Sequence, residues 1–300
     1  MTTEPLTYDH REHSYFHDLI NTHNVDVPDP DARERLIQHG KEVAERDEYA
    51  AHRDGGYAAP PLRLYKIYEN LVETTRPYIN AMSLYPMPPG TDTFHVPTTT
   101  GDLNVPVRTI AGMQSIAQQL LEQSPINFDD IVMRDLAADY LTKQGTQVFT
   151  GAGMSGEMRG IANTPGIHKL TNIPEACLPE AILLASSIID SRRGEGPTII
   201  ALPTTLHNNL EKPHAFGPST TAVVSEPRLN RNTVHVARAE DSILYESSIR
   251  ARTLKETRPT EIDPTTGEPR IIHLLQIYAY NAFTAGRFHG TSIVTVELDG

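Results

Sequence analysis

Pro125-Ile-Asn-Phe-Asp-Asp-Ile-Val-Met-Arg-Asp-Leu-Ala-Ala-Asp-Tyr-Leu-Thr-Lys-Gln-Gly-Thr-Gln-Val148 is the stretch on which the fold of this 300-residue chain turns. Phe128, Ile131, Val132, Leu136, Tyr140 and Leu141 recur near helical spacing, which predicts one long helix with an apolar face. Ser124-Pro125 supplies a start signal, because proline fits the first turn of a helix. Gly145 and Gly151 are expected to mark its end. The second long signal lies far downstream. Ser242–Lys255 and Arg270–Phe283 read as the rising and falling limbs of a long hairpin. Between them lies the polar turn region Arg258-Pro-Thr-Glu-Ile-Asp-Pro-Thr-Thr-Gly-Glu-Pro269. A long helix and a long hairpin in a chain with 23 prolines and 19 glycines predict a loop-rich α+β protein, not a helix bundle.

Shorter elements lie around these two. Pro179–Arg192 fits a helix with Ile182, Ala185, Ile188 and Ile189 on one face, and Pro197–Leu202 has a buried-strand pattern. Thr233–Ala237 and Ser292–Leu298 fit short strands. Upstream, residues 83–110 carry Pro86, Pro88, Pro89, Gly90, Pro97, Gly101 and Pro106 between runs such as Thr93-Phe94-His95-Val96, which predicts a two-stranded projecting loop. Residues 57–80 open with Tyr57-Ala-Ala-Pro-Pro61 and continue with Leu62, Leu64, Tyr65, Ile67, Tyr68 and Leu71. The double proline predicts an extended arm that covers its apolar side chains on something else. Residues 1–56 are polar. Asp31–Arg53 reads as a helix capped by Asp29 or Asp31, and its stripe of Leu36, Ile37, Val43 and Ala44 is narrow enough to suggest a surface or partner-binding helix. Gly55-Gly56 ends it.

Composition narrows the function. At about 100–200 residues per domain, the length predicts one large or two interleaved domains. The net charge is −12, so the chain as a whole does not attract phosphate backbones. Lysine occurs at six positions and the remaining cations are arginine. Cys177 is the only cysteine, so no intramolecular disulfide is available. No run reaches the roughly 18 apolar residues that span a bilayer, and the polar start has no signal-like apolar core. No membrane partner and a cytoplasm-like compartment are the expectation.

The motifs that would carry chemistry are thin. Gly151-Ala-Gly153-Met-Ser-Gly156 matches the dinucleotide-loop pattern by letter. A long helix precedes it where a strand is needed, and Pro165 interrupts the segment after it, where a helix is needed. It reads as a structural glycine turn. His10, His13 and His17 have spacing that would share a metal, but no cysteine accompanies them. Cys177 would need a histidine held beside it, with His168 and His207 nearest in sequence. Its proline neighbours suggest a packed turn. No Walker loop, H-E-x-x-H or G-x-S-x-G motif occurs. The reading assigns no catalytic, cofactor-binding or metal-ligating residue, no cofactor and no enzymatic activity.

Several stretches in fixed order resemble the major capsid proteins of tailed phages, especially those of actinobacterial phages. They are Gly55-Gly-Tyr-Ala-Ala-Pro-Pro61, Pro86-Met-Pro-Pro-Gly-Thr-Asp-Thr-Phe-His-Val-Pro97, Val107-Arg-Thr-Ile-Ala-Gly112, Gln119-Leu-Leu-Glu-Gln-Ser-Pro125, Val148-Phe-Thr-Gly-Ala-Gly153, Gly160-Ile-Ala-Asn-Thr-Pro-Gly166 and the closing Tyr278–Leu298 segment. The resemblance implies the Hong Kong phage capsid fold, shared with encapsulins. It implies a scaffold-like helical segment at 1–56, an N-terminal arm at 57–82 and an extended loop at 83–110. It further implies a peripheral domain at 111–159 and 233–285, with the helix as its spine and 258–269 near three-fold contacts. The axial domain would take 160–232 and 286–300, around five-fold and six-fold axes. The implied role is a shell of pentamers and hexamers around double-stranded DNA that the acidic subunit contacts weakly. Implied partners are a portal protein and, in some relatives, a scaffold, a maturation protease or a decoration protein. The implied location is the virion, with the host cytoplasm during assembly. In some relatives the scaffold-like segment is cleaved and in others retained. An arm and a loop with no core of their own would bury apolar surface only on partners.

Two departures from the family stand out. Only Thr98–Asn104 separates the strand-like runs of the extended loop, where relatives often carry more. One branch welds its shell through a lysine in that loop and an asparagine in the three-fold loop. Here no lysine lies between Lys66 and Lys143, and no asparagine between Asn232 and Asn281. No such cross-link is expected, so the denatured protein should run as a single subunit band on a gel. A ladder of covalent oligomers would overturn this. The capsid reading has two rivals. An encapsulin-like nanocompartment shares the fold, although encapsulins generally lack the arm. A soluble enzyme using the 151–156 loop would bind its cofactor as a monomer.

Overall fold

The computed structural model describes residues 6–9, 12–23, 29–98, 101–117, 128–209, 220–262, 267, 269–288 and 291–299. In chain order the elements begin with α1 (Tyr15–His23), α2 (Pro30–Glu45), α3 (Leu62–Thr75), α4 (Pro77–Asn80), β1 (Ser83–Pro86), β2 (Thr93–Pro97), β3 (Asp102–Pro106), β4 (Arg108–Ala117) and α5 (Asp129–Thr150). They continue with β5 (His168–Ile173), α6 (Leu178–Arg193), β6 (Thr198–Leu202), α7 (Thr204–Asn209), β7 (Thr220–Ser225), β8 (Thr233–Ala237), β9 (Ile243–Glu246), β10 (Arg250–Ile262), β11 (Pro269–Thr284) and β12 (Ile293–Leu298). The chain divides into two compact units, each assembled from three segments. The first is Met1–Val72, Ile110–Leu141 and Ser248–Ala279. The second is Glu73–Thr109, Thr142–Ser247 and Tyr280–Gly300.

In the first unit β10 and β11 form the long antiparallel hairpin, with Arg250 opposite Tyr278 and Arg258 opposite Arg270. β4 also pairs with β11. The Leu136–Tyr140 stretch of α5 lies directly on β4. A Cβ placed at Gly112 would stand 2.0 Å from the Leu136 carbonyl oxygen and 2.8 Å from the Tyr140 nitrogen, so strand and helix backbones touch there. Beside this contact the Met113 amide donates to Asp139 Oδ2 at 2.8 Å.

In the second unit a five-stranded sheet runs β5-β12-β8-β6-β7. Its central pair is antiparallel, with Val294 opposite Val236. Leu178, Ile182, Ala185 and Ile189 of α6 recur at helical spacing. They pack on Ile200, Leu202, Val234, Val236, Val294 and Val296, which alternate along the strands. Two periods meeting on one face make the core of this unit. His235 points to the opposite face, where its ring stacks on Phe149 at 5.8 Å, and Phe149 in turn packs on Tyr78. In the same unit β1 runs parallel to β9, and β9 pairs antiparallel with the end of β11.

The long helix expected from residue 125 onward is present as α5, and its apolar stripe of Val132, Met133, Leu136, Tyr140 and Leu141 is buried. The start signal Ser124-Pro125 lies outside the described residues. Gly145 does not end the helix. α5 continues to Thr150, and a Cβ at Gly145 would lie 2.3 Å from Cδ of Arg228. Glycine is there to admit that side chain, at the usual cost of a mid-helix glycine. The helix stops at Gly151, where a side chain would meet the Met158 and Gln147 carbonyls. Asn163 Nδ2 donates to the last carbonyls, those of Thr150 and Gly151, at 3.0 Å each.

Three expectations are corrected. Residues 57–80 do not form an extended arm. The Pro61 carbonyl accepts from the Leu64 and Tyr65 amides at 2.9 Å, so the double proline opens α3 instead of excluding a helix. Leu64 and Tyr68 are then four residues apart on one face and are buried, with Tyr68 beside Tyr140 of the same unit. The helix over 31–53 is shorter. α2 ends at Glu45 and a 3-10 turn takes Asp47–Ala58. Its narrow stripe is split: Leu36 and Val43 are buried at 3 % and 0 % exposure, whereas Ile37 is 50 % exposed and Ala44 is exposed. The rising limb of the hairpin is broken between β9 and β10, and the polar turn is shorter because β10 continues to Ile262. Strands β1, β4, β5 and β7 were not expected.

Candidate functional site

No catalytic constellation was expected, so the candidate site comprises the surfaces and turns that the sequence singled out. The two-stranded loop expected within residues 83–110 is present as a hairpin in the second unit. β2 and β3 pair antiparallel, with Phe94 opposite Val105 and Val96 opposite Leu103. Val96 and Val105 are buried against Ile243 and Ala282. The Phe94 ring stacks on Tyr245 at 3.9 Å and 11°. The hairpin therefore has a foothold in its own unit, which corrects the expectation that it buries apolar surface only on partners. Between β3 and the turn after α5 runs a cleft of about 320 Å³. Leu103, Val105, Met158, Arg159, Pro165 and Phe283 line it.

The glycine loop 151–156 closes on itself. The Gly153 amide donates to the Met158 carbonyl at 3.0 Å, and the Gly160 amide to the Gly151 carbonyl at 2.9 Å. The Ala152 amide donates to Glu157 Oε2 and the Met158 amide to Gln147 Oε1, each at 3.0 Å. Gly153 and Gly156 have φ of 75° and 89°, which only glycine adopts without strain. These amides face internal carbonyls and a carboxylate, so the loop presents no phosphate cradle of the dinucleotide kind.

His10 lies outside the described residues. His17 shares a hydrogen bond with the Asn21 side chain at 3.1 Å. Among the described residues no three metal-ligating side chains converge. Cys177 is exposed at the start of α6. Among the described residues no helix is long and apolar enough to cross a membrane.

Sequence reasoning did not anticipate a buried polar network in the second unit. Arg76 donates from Nη1 to Gln144 Oε1 at 2.8 Å and to Glu246 Oε2 at 2.9 Å. Gln144 Nε2 donates to Glu246 Oε1 at 2.8 Å and to Asn281 Oδ1 at 2.9 Å. Four elements distant in sequence meet there, and no local pattern could have signalled it. Glu226 is also buried. Desolvation raises its carboxyl above the ordinary range against the opposing pull of Arg228.

His235 couples the second unit to pH. Burial holds its imidazole down at about 4, with Lys169 adding to the effect, and its Nδ1 lies 3.0 Å from Thr295 Oγ1. The unfolded chain would protonate it near 6.5. The native state keeps it neutral, so its contribution is full above 6.5 and falls away as pH drops from 6.5 to about 4. The expected loss is about 3 kcal/mol. Denaturant melts at pH 7 and pH 4 should show a smaller acid loss in His235→Gln than in the natural chain. Equal losses would mean that this imidazole does not carry the effect.

Comparison with known proteins agrees with this architecture. Residues 92–212 match the phage capsid family. Among solved structures, a virus-like particle from Pyrococcus furiosus aligns with TM-score 0.50 and 13% identity, over 78% of this chain and 98% of that one. The capsid of an empty GTA particle aligns with TM-score 0.51 and 10% identity, over 74% and 89%. A chain of Microbacterium phage Oxtober96 gives TM-score 0.54 and 11% identity, over 75% and 92%. No curated protein matches the sequence. The fold is that of phage capsid proteins, and the resemblance read from the sequence stands.

Proposed function

We propose that this chain is the major capsid protein of a tailed phage. It assembles with copies of itself, as pentamers and hexamers, into an icosahedral shell around double-stranded DNA. The observation that carries the reading is the extent of the fold match together with its content. The chain covers 89–98% of three capsid-fold chains, and a separate family match falls within it. The role is structural, with no catalytic step. The net charge of −12 suits a shell that holds packaged DNA loosely, because phosphate contacts need local cations. Closed symmetry repeats each modest subunit contact around the shell. A portal protein, and in some relatives a scaffold, protease or decoration protein, completes the set of partners. Assembly takes place in the host cytoplasm and the product is the virion.

The likeness to a virus-like particle supports a second reading, an encapsulin-like nanocompartment. One experiment separates the two. The chain is expressed alone and then with its neighbouring genes, and imaged by negative-stain electron microscopy. Regular shells or capsomer rings support the shell role. DNA in particles made with a portal and terminase supports the phage reading, and a protein cargo supports the compartment. Monomers under every condition would overturn both.

A further inference from the structure

Residues 6–58 carry side chains that a removable segment would not need. Tyr8, Tyr15, Phe16, Leu19, Ile20, Leu36, Val43 and Tyr49 are buried to between 0 and 3 % exposure. The rings of Tyr8, Tyr15 and Tyr49 surround His39 edge-on, at 5.4, 5.6 and 5.7 Å. Arg35 holds Asp18 with two hydrogen bonds of 2.7 Å, and Tyr8 donates to the same carboxylate at 2.8 Å. The Thr7 hydroxyl donates to Glu42 at 2.7 Å. This is a small folded layer.

The layer is also bound to the rest of its unit. Asp129, the first residue of α5, is buried, and its carboxylate accepts from Ser14 Oγ at 2.6 Å and from the Tyr15 amide at 2.8 Å. Removing the segment would take both donors from a buried carboxylate, which is costly. Past the Gly55-Gly56 turn, His39 Nε2 bonds the Ala59 carbonyl at 2.8 Å and Tyr15 donates to the Tyr57 carbonyl at 3.0 Å. These bonds cross the junction at which a scaffold-like segment would be cut. The 3-10 run over Asp47–Ala58 is broken at the junction itself, where Gly56 has a φ of 53°, so it is these long-range bonds that hold the two sides together.

We propose that residues 6–58 are a permanent structural layer of the shell subunit, clasped at Asp129 and kept in the finished particle. This rests on the capsid reading above. The test is to purify particles made with all neighbouring head genes present, any protease included, and to measure intact subunit mass. The expected mass retains residues 6–58. Shells whose subunits begin at or beyond Gly55 would overturn this proposal alone, whereas an absence of shells would overturn the capsid reading and this proposal with it. Hydrogen exchange on the full chain gives a second readout. The amides of residues 15–20 should exchange about 1000-fold more slowly than in a free peptide. Exchange within about tenfold of the free rate would show that the layer is not held and would sink the clasp.

Discussion

Gly112→Ala is expected to cost on the order of 3 kcal/mol or to leave the subunit insoluble. The added methyl would stand 2.0 Å from the Leu136 carbonyl oxygen, and neither backbone yields easily. β4 is held to β11 by its ladder. α5 is held by its own hydrogen bonds and by Leu136 and Tyr140, which are fully buried. Relief would require moving strand from helix, which opens a void under the apolar stripe that organises the first unit. A folded domain has only about 5–15 kcal/mol in total, so the loss should be visible as a lower melting point and a failure to form shells. Gly286→Ala is the matched control. There the nearest side-chain atoms lie 3.4 Å from the added carbon, and little change is expected. If both variants melted together near the natural chain, the strand–helix contact would not be as close as described.

Arg76→Met should be similarly severe, at about 3–5 kcal/mol. The methionine keeps most of the stem, but the cation that faces Glu246 is gone. Arg76 and Glu246 are 6 % and 16 % exposed, so water cannot fully replace the partner. Arg76→Lys should recover only part of the loss, because one ammonium does not reproduce the planar fork. Adding Glu246→Gln to Arg76→Met should recover some stability by removing the stranded charge, a coupling of roughly 1–3 kcal/mol. Denaturant melts of the natural chain, the single variants Arg76→Met, Arg76→Lys and Glu246→Gln, and the double variant measure this directly. A single variant within about 0.5 kcal/mol of the natural chain would show that the network is not a stabilising hub.

Local pattern determined a good deal about this protein. Helical spacing in α5 and α6, alternation in β8 and β12 and the turn residues around β2 and β3 each state their own conformation, because the period of apolar residues must match the backbone period. The glycine loop was legible as a turn for the same local reason, since a helix preceded it. The ordered family-like stretches carried the fold class and with it the function proposed. What local pattern misjudged depended on contacts made far along the chain. Pro60-Pro61 reads as extended by itself, and only the burial of Leu64 and Tyr68 makes it the start of α3. Leu36 and Val43 of α2 look like a free surface until Tyr8, Tyr15 and Tyr49 close around His39 of the same helix, while Ile37 stays exposed. Gly145 reads as a helix end because nothing nearby reveals that Arg228, 83 positions later by number, needs the space. The Arg76–Gln144–Glu246–Asn281 network joins residues from four separate stretches. Tertiary structure decided these points because burial is a property of the assembled surface, and a polar or small residue shows its reason only beside the partner that fills its space or its hydrogen bond.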